Sequence, residues 1–487
     1  MVIGEVSFVN SKLFSICLCP VITLQSLLER TCIVTSSDFL GRATELYGEE
    51  KWCCKFYSEV IALPQSRANL KDKSIKKILV VAESIDLEDS SGTKGRVALI
   101  KNLHKSGFEV IVYHYTRKEI QLDGIPCHSI KENRKTILFF LSRTERYLRY
   151  WFNLKLYKLI EQVLGFSFTL FNDRNSILAA LNKIKGFEPD LVLSLSKGTS
   201  FRPHHALLKI PKWHSKWMAY IHDPYPFASY PRPYDYVEPG HQKKREFFLN
   251  VSEKACFAAY PSELLARWME SYFPPLKGKS VIIPHQIDEE EIDSPELPEY
   301  FKKNTFTIVH AGALMNARNP MGLIKAFRKF LKEVPEAAEH SQLLFIGKKS
   351  KYTPEFEELK KEIPQFYSSD DYLPFTQVQA IQKNAAVNVI LEAKGPISPF
   401  LPGKFPHCIQ TGKPILLLGP YYSESRRLLG ADYPWWSEID NEEKITQQIG
   451  EIYFKWLNNQ MFMGCDYSFL REYLSASSLN QLNELIN

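Results

Sequence analysis

The sequence predicts an α/β protein made of two doubly wound parallel-sheet domains that face a central cleft. Three observations carry this. At 487 residues the chain is too long for one ordinary hydrophobic core, and divides most naturally into two or three units. Apolar runs of strand length alternate with helix-length amphipathic stretches, the pattern of βαβ units. The alternation also occurs twice, on either side of an acidic, proline-bearing segment from Asp288 to Pro298 that reads as a linker.

The first series opens with the apolar strand Ile78–Ala82, followed by a Ser/Gly loop and a helix over Val97–His104. Gly107 stops the helix, and Glu109–His114 forms the next strand. Further strands are expected at Asp190–Ser194, Trp217–Ile221, Phe257–Ala259 and Ser280–Ile283. The second series runs through strand Phe306–His310, a glycine loop, a helix through Phe327–Leu331 and strand Gln342–Ile346, then strands Val387–Leu391 and Pro414–Leu418. The expected organisation is an N-terminal extension over 1–75 with no assignable role and a Rossmann-like domain over 76–287. A linker over 288–303, a second Rossmann-like domain over 304–455 and a helical segment over 456–487 packing back on the N-terminal domain complete it. In such sheets ligands bind beyond the carboxyl ends of the strands, so the active site is expected between the domains.

Composition narrows the function classes. With 45% hydrophobic and 24% charged residues the chain can bury ordinary cores. Its 61 basic against 55 acidic residues leave a net charge of +6, too small and dispersed to predict a nucleic-acid partner but compatible with an anionic substrate. Nine cysteines, five of them within the first 75 residues and none in a C-x-x-C pair, suggest neither a zinc site nor a disulfide framework; a reducing cytoplasm fits. The early apolar stretch Leu13–Leu28 is interrupted by Pro20 and Gln25 and falls short of the ~20 residues a bilayer span needs.

Five segments carry candidate chemistry. Ser91–Arg96, with Gly92 and Gly95, would let backbone amides approach an anion at a helix start; it reads equally as a plain tight turn. G-x-G-x-x-G is absent, which removes the main support for a dinucleotide cofactor. His222 and Asp223 directly follow a buried strand in a proline-stiffened loop, a position that projects side chains into a cleft. In the stretch His310–Pro320 the chain passes from a strand through Gly312 to Arg318, a cation able to pair with two phosphate oxygens; the alternative is a solvated surface arginine. Ser398–Ile415 holds Pro399, Pro402, Pro406 and Gly403 around Lys404, a rigid cationic loop suited to a diphosphate leaving group. Finally, 134–158 carries seven basic residues and one acid, Glu145, interleaved with Phe139, Phe140, Tyr147, Tyr150, Trp151 and Phe152. It reads either as an interfacial membrane segment or as an amphipathic domain helix with a solvated basic face.

Taken in order, these segments resemble the retaining glycosyltransferases of the GT-B fold, in particular family 4 (glycosyl transferases group 1), across residues 76–455. The landmarks are the 91–96 loop, the strand leading to His222, Tyr260-Pro-Ser262 and Ile283-Pro-His-Gln-Ile-Asp288, where the family has I-P-N-G-V-D. The G-x-L of 312–314, Asp371-Tyr-Leu-Pro374 and Gly412-Lys-Pro-Ile415 complete the series. The resemblance implies transfer of a sugar from a UDP- or GDP-linked donor to a hydroxyl acceptor without a metal or other cofactor. It implies that His222 lies near the reacting carbon with Asp223 on the acceptor side. Arg318, Lys404, Gly92, Gly95 and Gly312 would hold phosphates, and Ser398, Phe400, His407, Pro374 and Phe375 would meet the donor sugar or nucleoside.

The sequence departs from the family at Ala313, where an arginine is usual, and at Pro399 and His407, where two glutamates separated by seven residues are usual. Ser398–Lys404 matches the S-P-F-x-P-x-K loop of a subset of related bacterial enzymes, and Glu392 is near but out of register. The leading expectation is a hexosyltransferase acting on a glycan or lipid-linked acceptor in cell-surface polysaccharide or glycolipid synthesis. It would work in the cytoplasm at the inner face of the membrane, with peripheral contact through 134–158. The alternatives are a degenerate, non-catalytic protein of the same fold that binds sugar nucleotides or a partner enzyme, and a sugar-nucleotide epimerase.

Overall fold

The computed structural model describes residues 76–487 apart from 90, 289–295, 315–316, 349–350, 372, 460–464 and 487. The 1–75 extension and the middle of the expected linker lie outside the described residues. Two parallel sheets organise the rest. The first contains β1 (Lys77–Ala82), β2 (Glu109–His114), β3 (Cys127–Ser129), β4 (Leu191–Leu195), β5 (Trp217–Tyr220), β6 (Phe257–Tyr260) and β7 (Ser280–Ile282), in the spatial order 3-2-1-4-5-6-7. The second contains β8 (Phe306–Ala311), β9 (Ser341–Ile346), β10 (Phe366–Ser368), β11 (Val387–Leu391), β13 (Ile415–Leu418) and β15 (Trp436–Ser437), in the order 10-9-8-11-13-15. A two-stranded ribbon pairs β12 (Ile397–Ser398) with β14 (Tyr422–Ser423). Each sheet reverses its winding direction once, between β1 and β4 and between β8 and β11, and the crevice of a doubly wound fold opens at that point.

The central strands are apolar because both of their faces are covered by helices. Every residue of β4, β8, β9, β11 and β13 is buried. The segment after β15 crosses between the domains. Leu474 packs in the core beneath β13, and its carbonyl accepts from Ile287 N at 2.7 Å. Leu479 and Leu482 then enter the N-terminal core beside Ile78 and Val80. Ser106 Oγ donates to Ala476 O at 2.8 Å, and Gln481 Nε2 donates to Ile282 O at 3.1 Å.

The structure departs from the sequence reading at the first glycine segment. Helix α1 spans Ser91–Lys105, so Gly92 and Gly95 lie in its first turns and not in a preceding loop. The cause is Arg96, which is 2% exposed and donates to Ser84 O (3.2 Å), Ser196 O (3.0 Å) and Thr93 Oγ1 (2.6 Å). These bonds tie the start of the helix to the ends of β1 and β4. Helices α2 (Ile137–Phe152), α3 (Leu156–Leu164) and α4 (Phe168–Leu181) follow on the N-terminal domain.

A buried carboxylate joins the domains. Glu424 begins helix α8 (Glu424–Leu429) and is fully buried. It accepts the backbone N–H of Glu263 at 3.1 Å and of Leu264 at 3.3 Å, which open helix α5 (Glu263–Tyr272) of the other domain. Free amides and the helix dipole favour an anion there. Arg427 donates to both oxygens of Glu424, at 3.0 and 2.8 Å, and pairs with Glu263 at 3.1 Å. Close by, Ser262 Oγ donates to Pro399 O at 2.6 Å. A side chain at Gly395 would meet Arg232 O at 2.4 Å, so that interdomain approach requires a glycine. Removing Glu424 leaves two amides without their acceptor and Arg427 with the Glu263 carboxylate alone. Glu424→Ala should therefore lower stability by about 3 kcal/mol, read as a drop in the denaturant midpoint, with Glu424→Gln intermediate. A midpoint within error of the parent protein would show that the clamp contributes nothing.

Candidate functional site between the domains

The loops after β8 and β11 flank the reversal point of the C-terminal sheet. Gly312 directly follows β8, with φ +129° and its N–H donating to Ile346 O at 2.7 Å. An added side chain there would lie 3.2 Å from Lys404 Nζ, so glycine permits both the conformation and the approach of the lysine. Lys404 caps helix α7 (Phe405–Thr411), and its Nζ lies 2.8 Å from Nε2 of His310, which is buried near the end of β8. Burial and the nearby Arg318 lower the Lys404 ammonium to about 7. Burial, Lys404 and Arg318 drive His310 well below its ordinary range, which leaves it a neutral acceptor.

Arg318, half-buried, also faces the N-terminal domain, where it shares a recess with Tyr234 and acts electrostatically on Tyr234 and Asp223. Burial pushes the Asp223 carboxyl up to about 6, against the pull of Arg318. Between them lies a narrow recess lined by Arg232 and Tyr234 from one domain and Arg318, Glu392, Ser398 and Phe400 from the other. Glu392 is the first residue after β11 and is 3% exposed. Its Oε1 accepts from Ser425 at 2.7 Å, and burial raises the carboxyl to about 7 against the pull of Ser425, Arg318, Ser398 and Ser423. Phe400 packs against Tyr230 and Tyr234, with centroids 5.7 and 6.1 Å apart, and closes the recess across the domains.

A second contact spans the cleft nearer α1. Lys94 Nζ sits 3.8 Å from the ring centroid of Phe375, a cation–π contact. Phe375 opens helix α6 (Phe375–Asn384), capped by Pro374, and meets His407 edge-on at 5.0 Å. Burial and Lys94 bring His407 down to about 4, so a neutral imidazole stands where the resemblance places an acid. On the N-terminal side His222 lies nearly parallel to His285, at 6.3 Å and 12°. Burial, reinforced by Arg96 and His285, holds His222 well below its ordinary range.

The cleft therefore brings together Asp223, Arg318, Glu392, Ser398 and Phe400, with Lys404 beside Arg318 and His310 and with Phe375 and His407 beside Lys94, while His222 precedes Asp223 and lies against His285. Gly92 and Gly95 lie in the first turns of α1 on the opposite domain, where Gly95 faces His285. Five buried polar atoms here have no partner among the described residues: His222 Nε2, His310 Nδ1, Arg318 Nε, Glu392 Oε2 and His407 Nδ1. Orphaned atoms of this kind call for a ligand or water. The corresponding reversal point of the N-terminal sheet is filled instead. Glu83, after β1, accepts from Lys197 N at 2.9 Å and from Ser200 and Arg202, and Arg202 Nε donates to Asp173 at 2.7 Å. The open polar site thus belongs to the C-terminal sheet and the β5 loop. Sequence reasoning assigned no role to His310, Lys94 or Tyr234 and set Glu392 aside. For Glu392 a signal was present, a carboxylate at the first position past a buried strand.

No family model matches the sequence, and no curated protein sequence matches it either. Solved structures do match in fold. A trehalose-6-phosphate synthase, OtsA, is 11% identical, with 84% of this chain and 98% of that one covered at a TM-score of 0.54. A UDP-forming α,α-trehalose-phosphate synthase from Burkholderia xenovorans in complex with glucose-6-phosphate gives 9%, 84%, 99% and 0.53. An E. coli trehalose-6-phosphate structure bound with UDP-2-fluoro glucose gives 11%, 85%, 96% and 0.51. Two Rossmann-like domains in this arrangement constitute the GT-B architecture.

The Lys404 environment sets a pH dependence. With a free-protein value of about 7, below the ordinary 10.5, this lysine is mostly neutral at pH 8, and a bound anion raises its affinity for the proton. Binding a nucleoside diphosphate at pH 8 should take up as much as about one proton, and affinity should fall as pH rises above 7. Calorimetry in buffers of different ionisation enthalpy measures the uptake, which Lys404→Met should reduce by at least half. Equal uptake in both proteins would remove Lys404 from the anion site.

Proposed function

We propose that the chain is a hexosyltransferase that moves a sugar from a UDP- or GDP-linked donor to a hydroxyl acceptor with retention of configuration. The acceptor is a glycan or lipid-linked glycan of cell-surface polysaccharide or glycolipid synthesis, handled at the inner face of the cytoplasmic membrane. The observation that carries this reading is the half-buried Lys404, held against His310 beside Arg318 at the reversal point of the second sheet. Two cations there suit the charge that develops on a departing diphosphate. Arg318 can pair with two oxygens and Lys404 supplies a point charge, so these side chains themselves neutralise the leaving group.

Glu392 takes over from the family's carboxylates. Its free Oε2 accepts a donor-sugar hydroxyl, which holds the anomeric carbon toward His222. Asp223 meets the acceptor hydroxyl, and Phe375 with His407 meets the nucleoside. Structures of the same fold bound with UDP-2-fluoro glucose and with glucose-6-phosphate support a nucleotide sugar and a sugar-like acceptor.

A thermal-shift screen over nucleotide sugars tests this, since a ligand at ~100 times its dissociation constant adds about 2.7 kcal/mol of stability. Arg318→Ala and Lys404→Ala should each weaken donor binding about tenfold or more. Glu392→Gln should leave nucleoside diphosphate affinity nearly unchanged while abolishing the added affinity of the sugar and any transfer. No affinity across the donor panel would overturn the reading.

Pro399 and His407 favour a second reading, a non-catalytic binder of sugar nucleotides or of a partner enzyme. Donor hydrolysis or transfer that disappears in His222→Ala excludes it, and donor binding with neither reaction establishes it.

A further inference from the structure

We infer that α2 and α3 form a docking face for an anionic lipid bilayer, a property that does not depend on the transferase reading. Helix α2 buries only Ser142, and α3 buries no residue. A domain helix of the ordinary kind would turn an apolar stripe into the core. Here the large side chains point outward: Tyr150 is 81% exposed, Trp151 67%, Phe152 61% and Leu159 64%. Tyr147, Trp151 and Phe152 pack on one another at 6.0–6.3 Å between centroids. α2 rests on α4 through Thr136, whose hydroxyl bonds Asn172 at 2.5 Å. Its aromatic face has no partner among the described residues.

Charge identifies the occupant. Between Arg134 and Lys158 stand seven basic residues and the single acid Glu145. Glu132 is shared among Arg117, Arg134 and Arg143, and Glu145 faces Arg149. Lys135, Arg146, Lys155 and Lys158 make no ion pair among the described residues, and all four are exposed. A second copy of the chain, related by a two-fold axis, would set these cations against their own counterparts. An anionic headgroup layer accepts them, while Trp and Tyr settle at the boundary between headgroup and acyl chain. No described helix is long and apolar enough to cross a membrane, so these two helices lie along the surface.

Flotation of the full chain with phosphatidylcholine vesicles, alone or with about one-third phosphatidylglycerol, tests the inference. Binding should be at least about tenfold stronger to the anionic vesicles and should weaken as salt rises. Arg146→Glu with Lys158→Glu, and separately Tyr150→Ala with Trp151→Ala, should each reduce it by about tenfold or more. These positions are exposed, so the circular dichroism and nucleotide-induced thermal shift of both variants should match the parent. Equal binding to the two vesicle types, no binding to either, or parent-like binding by both variants would overturn the inference. A concentration-dependent dimer abolished by the same substitutions, without vesicle binding, would assign the face to a second copy instead.

Discussion

The half-buried Lys404 places its Nζ 2.8 Å from a neutral imidazole; Arg318 repels its charge, and burial keeps the nearby Cys408 thiol protonated up to about 12. Holding a cation in such a place costs several kcal/mol unless an anion arrives. The fold accepts that cost in the crevice where the second sheet reverses direction. Gly312 leaves room for the lysine there, and the Pro399–Pro406 loop fixes its backbone. His310, at the end of β8, gives its proton a neutral acceptor. Each of these makes sense as preparation for a phosphate-sized anion.

The two halves of the cleft are unequal for the same reason. At the N-terminal sheet the crevice is neutralised internally by Glu83, Arg202 and Asp173, which leaves that sheet to contribute the β5 loop with His222 and Asp223. At the C-terminal sheet the polar atoms are left unpaired. The Glu424 clamp, the Phe400 contacts and the crossing of Leu474, Leu479 and Leu482 from one core to the other hold these unlike halves face to face.

The strands that became visible in the sequence were the long apolar ones. β2 and β11 fall on their expected bounds, and β1, β8 and β9 lie within a residue, because a strand buried on both faces is a continuous apolar run. β3, β10 and β15 have two or three residues each, too few for any period, and went unseen. The helix start at Ser91 was missed because its stabilising contact, Arg96 to the carbonyls of Ser84 and Ser196, spans up to 100 residues and has no local signature. The cationic loop at 398–404 stood out through its prolines and glycine. Glu392 did not, since its role depends on Ser398, Ser423 and Ser425 converging from two other segments. For 134–158 the charges and aromatics are legible in the sequence, but only the fold shows that the aromatic face turns away from the core.

The most direct measurement is a crystal structure of the full chain with a nucleoside diphosphate. The terminal phosphate is expected between Arg318 and Lys404, beside the Gly312 turn, with the Lys404–His310 contact lengthened and the base near Phe375. A nucleotide bound elsewhere, or one in the cleft that leaves Lys404 on His310 and touches neither cation, would contradict it.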